Sequence, residues 1–270
     1  MDWLEVGDRV FARRYRFFDQ QIGLVLGHGE ALVVDTRISR VQAREILEDV
    51  RLVTRDPVTV VVNTHWHSDH AFGNHEFRPA VIWGHERCST RLPVTGPKAI
   101  AGLSEAMPEI AADLAEVVLD PPDRTFEAAA TAEVGDREVL LDYLGLGHTD
   151  ADIVVRVPDA EVLFAGDLLE AGAVPYFGDS YPIDWPATVE RLLPLVTGAV
   201  VPGHGEVGDA KFVEAQLSDF RQLLAVARDL HDGRLDRDVA IDRLPYPPEA
   251  AAQPLDRALA QLRGELVVPT

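Results

Sequence analysis

The segment His65-Trp66-His67-Ser68-Asp69-His70 places three imidazoles and a carboxylate within six residues. His65 and His67, two apart in an extended stretch, point the same way, and a turn after them directs Asp69 and His70 to a second point nearby. That arrangement suits two cations better than one. Two ions about 3.5–4 Å apart need about seven or eight protein ligands, so further donors must come from elsewhere in the chain. Three other segments have the right character: Gly147-His148-Thr149-Asp150, Ala165-Gly166-Asp167 and Pro202-Gly203-His204-Gly205. Each follows a predicted strand, and the neighbouring glycines allow close backbone approach and positive φ. Imidazole and carboxylate suit Zn²⁺, and an all-nitrogen-and-oxygen site also takes Fe or Mn. Two cations sharing a water lower its pKa towards neutrality and so supply a hydroxide nucleophile without Ser or Cys, which makes hydrolysis the expected reaction class.

The elements that must position these groups read as a layered α/β fold. Apolar runs at 22–26 and 31–35 flank the turn-like Gly27-His28-Gly29-Glu30 and predict a β-hairpin. A helix follows, with Ser39 as its cap, Gln42 in the capping-box position, and Val41, Ile46, Leu47, Val50 and Val53 at helical spacing. Val58–Val62 predicts a buried strand that runs straight into Thr64-His65, the strand end where such folds place their chemistry. The stretch 88–120 mixes Pro and Gly, with a helix expected around 105–118 and a lid or connector role. The run 128–132 reads only as Ala-rich. Strands are expected at 138–144, 153–157 and 162–165, a helix at 186–195, a short strand at 199–201 and a helix from Asp209 to Leu230. The proline-rich LPYPPEAAAQPL predicts a linker to a last helix at 255–264. The expected division is a main domain over 1–235 and a C-terminal tail over 236–270 that packs on the body or forms a homo-oligomer interface.

Taken together, THWHSDH (64–70), GHTD (147–150), FAGD (164–167) and PGHG (202–205) resemble, in order and approximate spacing, the metallo-β-lactamase superfamily of metallohydrolases. The likeness covers roughly residues 20–205. It implies a four-layer αββα sandwich with the metals at one edge between two sheets. It also implies that His65, His67 and His148 bind a first metal, that Asp69, His70 and His204 bind a second, and that Asp167 bridges the two. Asp69 would in addition orient the bridging hydroxide and shuttle its proton to the leaving atom. Two Zn²⁺ are the expected cofactors. Superfamily members that open β-lactam rings often carry Cys or Ser where this chain has Asp167, which disfavours true β-lactamase activity. The bridging aspartate instead resembles that of glyoxalase II-type thioesterases, lactonases and phosphodiesterases. An iron-dependent oxidoreductase, such as a sulfur dioxygenase-like enzyme, is the alternative from another class, and a catalytically silent binding protein is a weaker third.

Composition narrows the partners. Twenty-five basic against 45 acidic residues leave a net charge of −20, which repels phosphate backbones and anionic membranes. The expected partner is therefore a small-molecule substrate, with neither nucleic acid nor membrane. Charges in MDWLEVGDRV break any signal-peptide core, so a cytoplasmic location is expected. Cys88, the sole cysteine, excludes an intramolecular disulfide and any CxxC motif. After Asp167, the stretch 174–185 gathers Tyr176, Phe177, Tyr181 and Trp185, which either line the site or pack the following helix. His75 and His85 are candidates to orient ligand imidazoles, whereas His28 and His231 read as surface residues.

Overall fold

The computed structural model describes residues 2–266. Twelve strands form one hydrogen-bonded sheet. In chain order they are β1 (Leu4–Gly7), β2 (Val10–Tyr15), β3 (Gln20–Leu26), β4 (Ala31–Val34), β5 (Val58–Val62) and β6 (Val81–His85). The rest are β7 (Arg124–Phe126), β8 (Ala129–Val134), β9 (Arg137–Tyr143), β10 (Ile153–Val157), β11 (Val162–Glu170) and β12 (Ala199–His204). The helices are α1 (Arg40–Val53), α2 (Ser68–Ala71), α3 (Glu86–Ala106), α4 (Ala111–Ala115), α5 (Trp185–Leu192), α6 (Ala210–His231), α7 (Arg237–Asp242) and α8 (Pro248–Leu262).

The strand order is β7-β6-β5-β4-β3-β12-β11-β10-β9-β8, and β2 also pairs with β3. The period-two pattern of the strands explains why this sheet folds back on itself. Leu32, Val34, Val60 and Val62 point to one face of the first half and share a core with Val139, Leu141, Val155 and Phe164 of the second half. The alternate residues Val33 and Val61 point outward and pack on Ala43, Ile46 and Val50 of α1. On the far side Val154, Leu163 and Val200 pack on Trp185, Val189, Leu217 and Phe220 of α5 and α6. The layers therefore run helix, sheet, sheet, helix, and the expected four-layer sandwich is what the chain forms. The halves join where β12 meets β3, at His204 opposite Gln20.

Several local expectations are corrected. The helix anticipated at 105–118 is instead α3, 21 residues long, followed by a 3-10 turn and the short α4. Pro93 and Pro97 hid it, yet both are exposed, so the carbonyls they leave without donors can be hydrated. Residues 128–132 lie mostly in β8, an edge strand paired with β9. Asp167 lies within β11 and not after it. Gly166 takes φ +52 and shifts the register against β12, letting the strand continue past an apparent end. Of the residues assigned to the apolar face of α1, Val41 is solvent-exposed. The Ser39 hydroxyl accepts from Gln42 N as expected.

The C-terminal helix begins at Pro248, earlier than anticipated. Leu244, Tyr246, Leu255, Ala258 and Leu259 share the core of Trp185 and Phe220, so this segment packs against α6. Among the described residues no helix is long and apolar enough to cross a membrane.

Candidate metal centre

Four chain segments converge at the seam between the sheet halves. Strand β5 ends at Val62, and the loop after it carries His65 and His67 before α2 presents Asp69 and His70. His148 comes from the loop between β9 and β10, Asp167 from β11 and His204 from the last residue of β12. All seven residues singled out in the sequence meet there. One ligand atom each from His65, His67, His148 and Asp167 falls within 4.8 Å of the others, and so do those of Asp69, His70 and His204.

The Asp167 carboxylate lies between the two groups. Its Oδ2 is 3.8 Å from His65 Nε2, 3.4 Å from His148 Nε2 and 3.2 Å from His204 Nε2, while its Oδ1 is 3.2 Å from His70 Nε2. Asp69 Oδ2 is 3.4 Å from both His70 Nε2 and His204 Nε2. Gly203 makes this crowding feasible, because a Cβ there would stand 1.8 Å from Asp167 Oδ1. His67 Nδ1 and His148 Nε2 lie 2.8 Å apart, two ring nitrogens turned on a common point.

Whether such a set fits a metal can be judged from its unmet polar atoms. His65 Nε2, His70 Nε2 and Asp167 Oδ1 are buried without a hydrogen-bond partner among the described residues. Buried polar atoms are otherwise nearly always paired, and cations would satisfy them all. The residues fit one or two divalent ions held by nitrogen and oxygen.

Electrostatics divide the imidazoles. Burial lowers the pKa of His65, and it lowers that of His148 to about 3, leaving neutral rings suited to ligation. Burial works the same way on His204, but Asp167 and Asp69 outweigh it and raise its pKa to about 10. Burial would raise Asp69, yet His70 and His204 hold it at about 2.

A buried residue that the sequence reading missed orients the core of the site. Asp35, 2% exposed, accepts from Thr64 N at 2.8 Å and from Thr64 Oγ1 at 2.8 Å, and lies 2.8 Å from His70 Nδ1. Fixing the remote ring nitrogen of a ligand imidazole sets its tautomer and direction. A carboxylate closing the apolar run ALVVD was the available signal, but at a strand end it reads as a turn residue. Asp35→Ala is expected to weaken metal affinity about 10–100-fold, measured by competition with a chromophoric chelator.

Other partners also hold the ring nitrogens that point away from the centre. His204 Nδ1 donates to the Phe18 carbonyl at 2.7 Å, and His67 Nε2 lies 3.1 Å from Asp179 Oδ2. Asp150, the last residue of GHTD, ties the loop to α3: its Oδ2 accepts from Arg91 at 2.8 Å and its carbonyl from Arg87 at 2.9 Å. The loop's own turn is closed by Asp152, which accepts from Thr149 Oγ1 at 2.6 Å.

The aromatic stretch splits. Phe177 and Trp185 belong to the core, with Trp185 Nε1 donating to Leu168 O, and Tyr181 is buried. Tyr176 is exposed, and its ring lies 6.1 Å from the rings of His67 and His148. The candidate orienting histidines lie elsewhere: His85 caps α3, and His75 pairs with Asp120. Cys88 is fully buried, and burial raises its pKa, so it is an inert packing residue.

Comparison with known proteins agrees with this geometry. The metallo-beta-lactamase type 2 of Bacillus cereus is 29% identical over 194 residues, covering 69% of this chain and 68% of its own. The acyl-coenzyme A thioesterase MBLAC2 of Homo sapiens is 26% identical over 226 residues, 74% of this chain and 79% of its own. Among solved structures, a metallo-beta-lactamase from Pontibacter korlensis superposes with a TM-score of 0.64 at 22% identity, covering 82% of this chain and 98% of its own. The FIM-1 enzyme of Pseudomonas aeruginosa, in a mono-zinc form, gives 0.63 at 19% identity, with 80% and 93% covered. These two likenesses show the fold. The family model described as the metallo-beta-lactamase superfamily matches residues 15–204, a span holding all seven converging side chains, and the chain belongs to that superfamily.

Proposed function

We propose that this protein is a dinuclear, zinc-dependent hydrolase acting on a small ester, lactone or thioester. The observation that carries the reading is Asp167, whose two oxygens face both ligand groups where one carboxylate can serve two ions. His65, His67 and His148 would hold the first ion, and Asp69, His70 and His204 the second. Two such ions supply Lewis acidity towards a carbonyl oxygen and a nucleophilic hydroxide at neutral pH. The chain's own groups do the rest. Asp35 and the Phe18 carbonyl fix the rings of His70 and His204. Asp69 lines the adjoining cavity, so its carboxylate is placed to hold a proton and pass it to the leaving atom.

Both curated relatives support hydrolysis, one named for a thioester and one for a β-lactam. The match to the Bacillus cereus enzyme favours β-lactamase activity as a second reading. The carboxylate of Asp167 favours the first. A panel of esters, lactones, thioesters, phosphodiesters and nitrocefin tests both on zinc-loaded and chelator-treated protein. Turnover of the acyl substrates, lost with chelator and restored by zinc, is the expected result. Oxygen uptake by an iron-loaded form without hydrolysis would overturn it.

A further inference from the structure

The cavity that opens on the metal centre is far larger than the reacting atoms require, about 780 Å³. One wall carries His67, Asp69, His148, Asp167 and His204. A further part of the lining is a face of α3 at positions 94/95, 98/99 and 102/103, an i, i+4, i+8 stripe that runs about 12 Å along the helix. Val94, Ala99, Gly102 and Leu103 make this stripe largely apolar, and Trp66 and Phe72 continue it. At Gly102 an added Cβ would meet nothing within 4 Å, so the groove beside it is open.

Exposed apolar side chains gather at the same place. Phe18, Val94 and Tyr176 are 39%, 45% and 51% exposed, and all three line this cavity. Phe18 is held at φ +56, a conformation unfavourable to a residue with a Cβ. The carbonyl of the same residue accepts from His204, and the residue lines the cavity, so the strain falls at the site. Charge sets a second limit. Outside the ligand set, Lys98 is the only Lys or Arg among the described lining residues, against Asp19, Glu170 and Asp179.

Resting on the hydrolase reading, we infer that the substrate carries a linear apolar acyl chain laid along the α3 stripe, with a small uncharged leaving group. Beyond the ligand set, a leaving group with several phosphates would find one lysine to pair with and three carboxyl groups beside it. In the reaction, water adds its oxygen to the acyl carbon, the C–O or C–S bond breaks, and the proton passes to the leaving oxygen or sulfur, with no redox change.

The test compares kcat/KM for p-nitrophenyl acetate, butanoate and octanoate, and for octanoyl thioesters of N-acetylcysteamine and coenzyme A. Burial of each methylene should raise kcat/KM about fourfold, so octanoate should exceed butanoate on the order of 10²-fold. The N-acetylcysteamine thioester should be turned over at least as fast as the coenzyme A thioester. Gly102→Trp, which adds bulk beside the groove on an exposed helix face, should bring octanoate down to the butanoate level, a larger fold loss than for acetate. Val94→Asp should also penalise octanoate selectively, and it covers the case of Gly102→Trp not folding. A flat chain-length profile, a profile unmoved by both variants, or a tenfold preference for coenzyme A would overturn the inference. Calorimetric binding of 1-butanol and 1-octanol separates it from the hydrolase reading. Octanol binding at least tenfold tighter, and lost in Gly102→Trp, upholds the groove even where no ester is cleaved. Equal binding of the two alcohols overturns it.

Discussion

Asp167→Ala is expected to lose at least one of two bound zinc ions and to lower kcat/KM on the order of 10³-fold. Several kcal/mol of transition-state charge stabilisation go with a bound ion, and each 1.36 kcal/mol is tenfold in rate. The substitution removes the one carboxylate placed within 3.8 Å of His65, His70, His148 and His204. It also leaves those imidazoles buried around a void. The comparison is metal content by elemental analysis and turnover in the same preparation. Activity within tenfold of wild type, with two zincs retained, would take Asp167 out of the centre.

Asp69→Asn is expected to act on turnover more than on structure. The amide keeps the volume of the side chain and an oxygen that can face His70 and His204, but it cannot accept a proton. A positioned proton carrier contributes about 10²–10⁴-fold, so kcat should fall in that range with KM little changed. Burial favours the neutral acid at this position, yet the neighbouring imidazoles hold the carboxyl at about 2. The carboxylate is therefore charged throughout the neutral range. Substrates with good leaving groups need less proton delivery, so p-nitrophenyl esters should be hurt less than alkyl esters. An equal loss across leaving groups would assign Asp69 to metal holding alone.

The seven converging side chains were legible because four of them sit in one short motif and each of the other three stands next to a glycine near a predicted strand. Short-range spacing carries that kind of information. The four-layer arrangement was legible only through family likeness, since strand patterns at 22–35, 58–62 and 153–165 predict strands but not which faces meet. The observed alternation of Leu32 and Val34 against Val33 supplies that reason after the fact. Asp35 was not legible, because its importance lies in contacts with Thr64 and His70, 29 and 35 residues away. Helix α3 was obscured by Pro93 and Pro97, and β8 by its alanines, whose weak strand preference is overridden by pairing with β9. The wall of the cavity was thus the part of the site least visible in the sequence, and it is the part on which substrate choice is expected to depend.

These side chains are expected to hold two ions at once. Anomalous diffraction at the zinc edge from zinc-loaded crystals tests it most directly. Two peaks are expected, one contacted by His65, His67 and His148, the other by Asp69, His70 and His204, with Asp167 reaching both. A single peak at full occupancy under excess zinc, or peaks that leave Asp167 outside coordination distance, would contradict it.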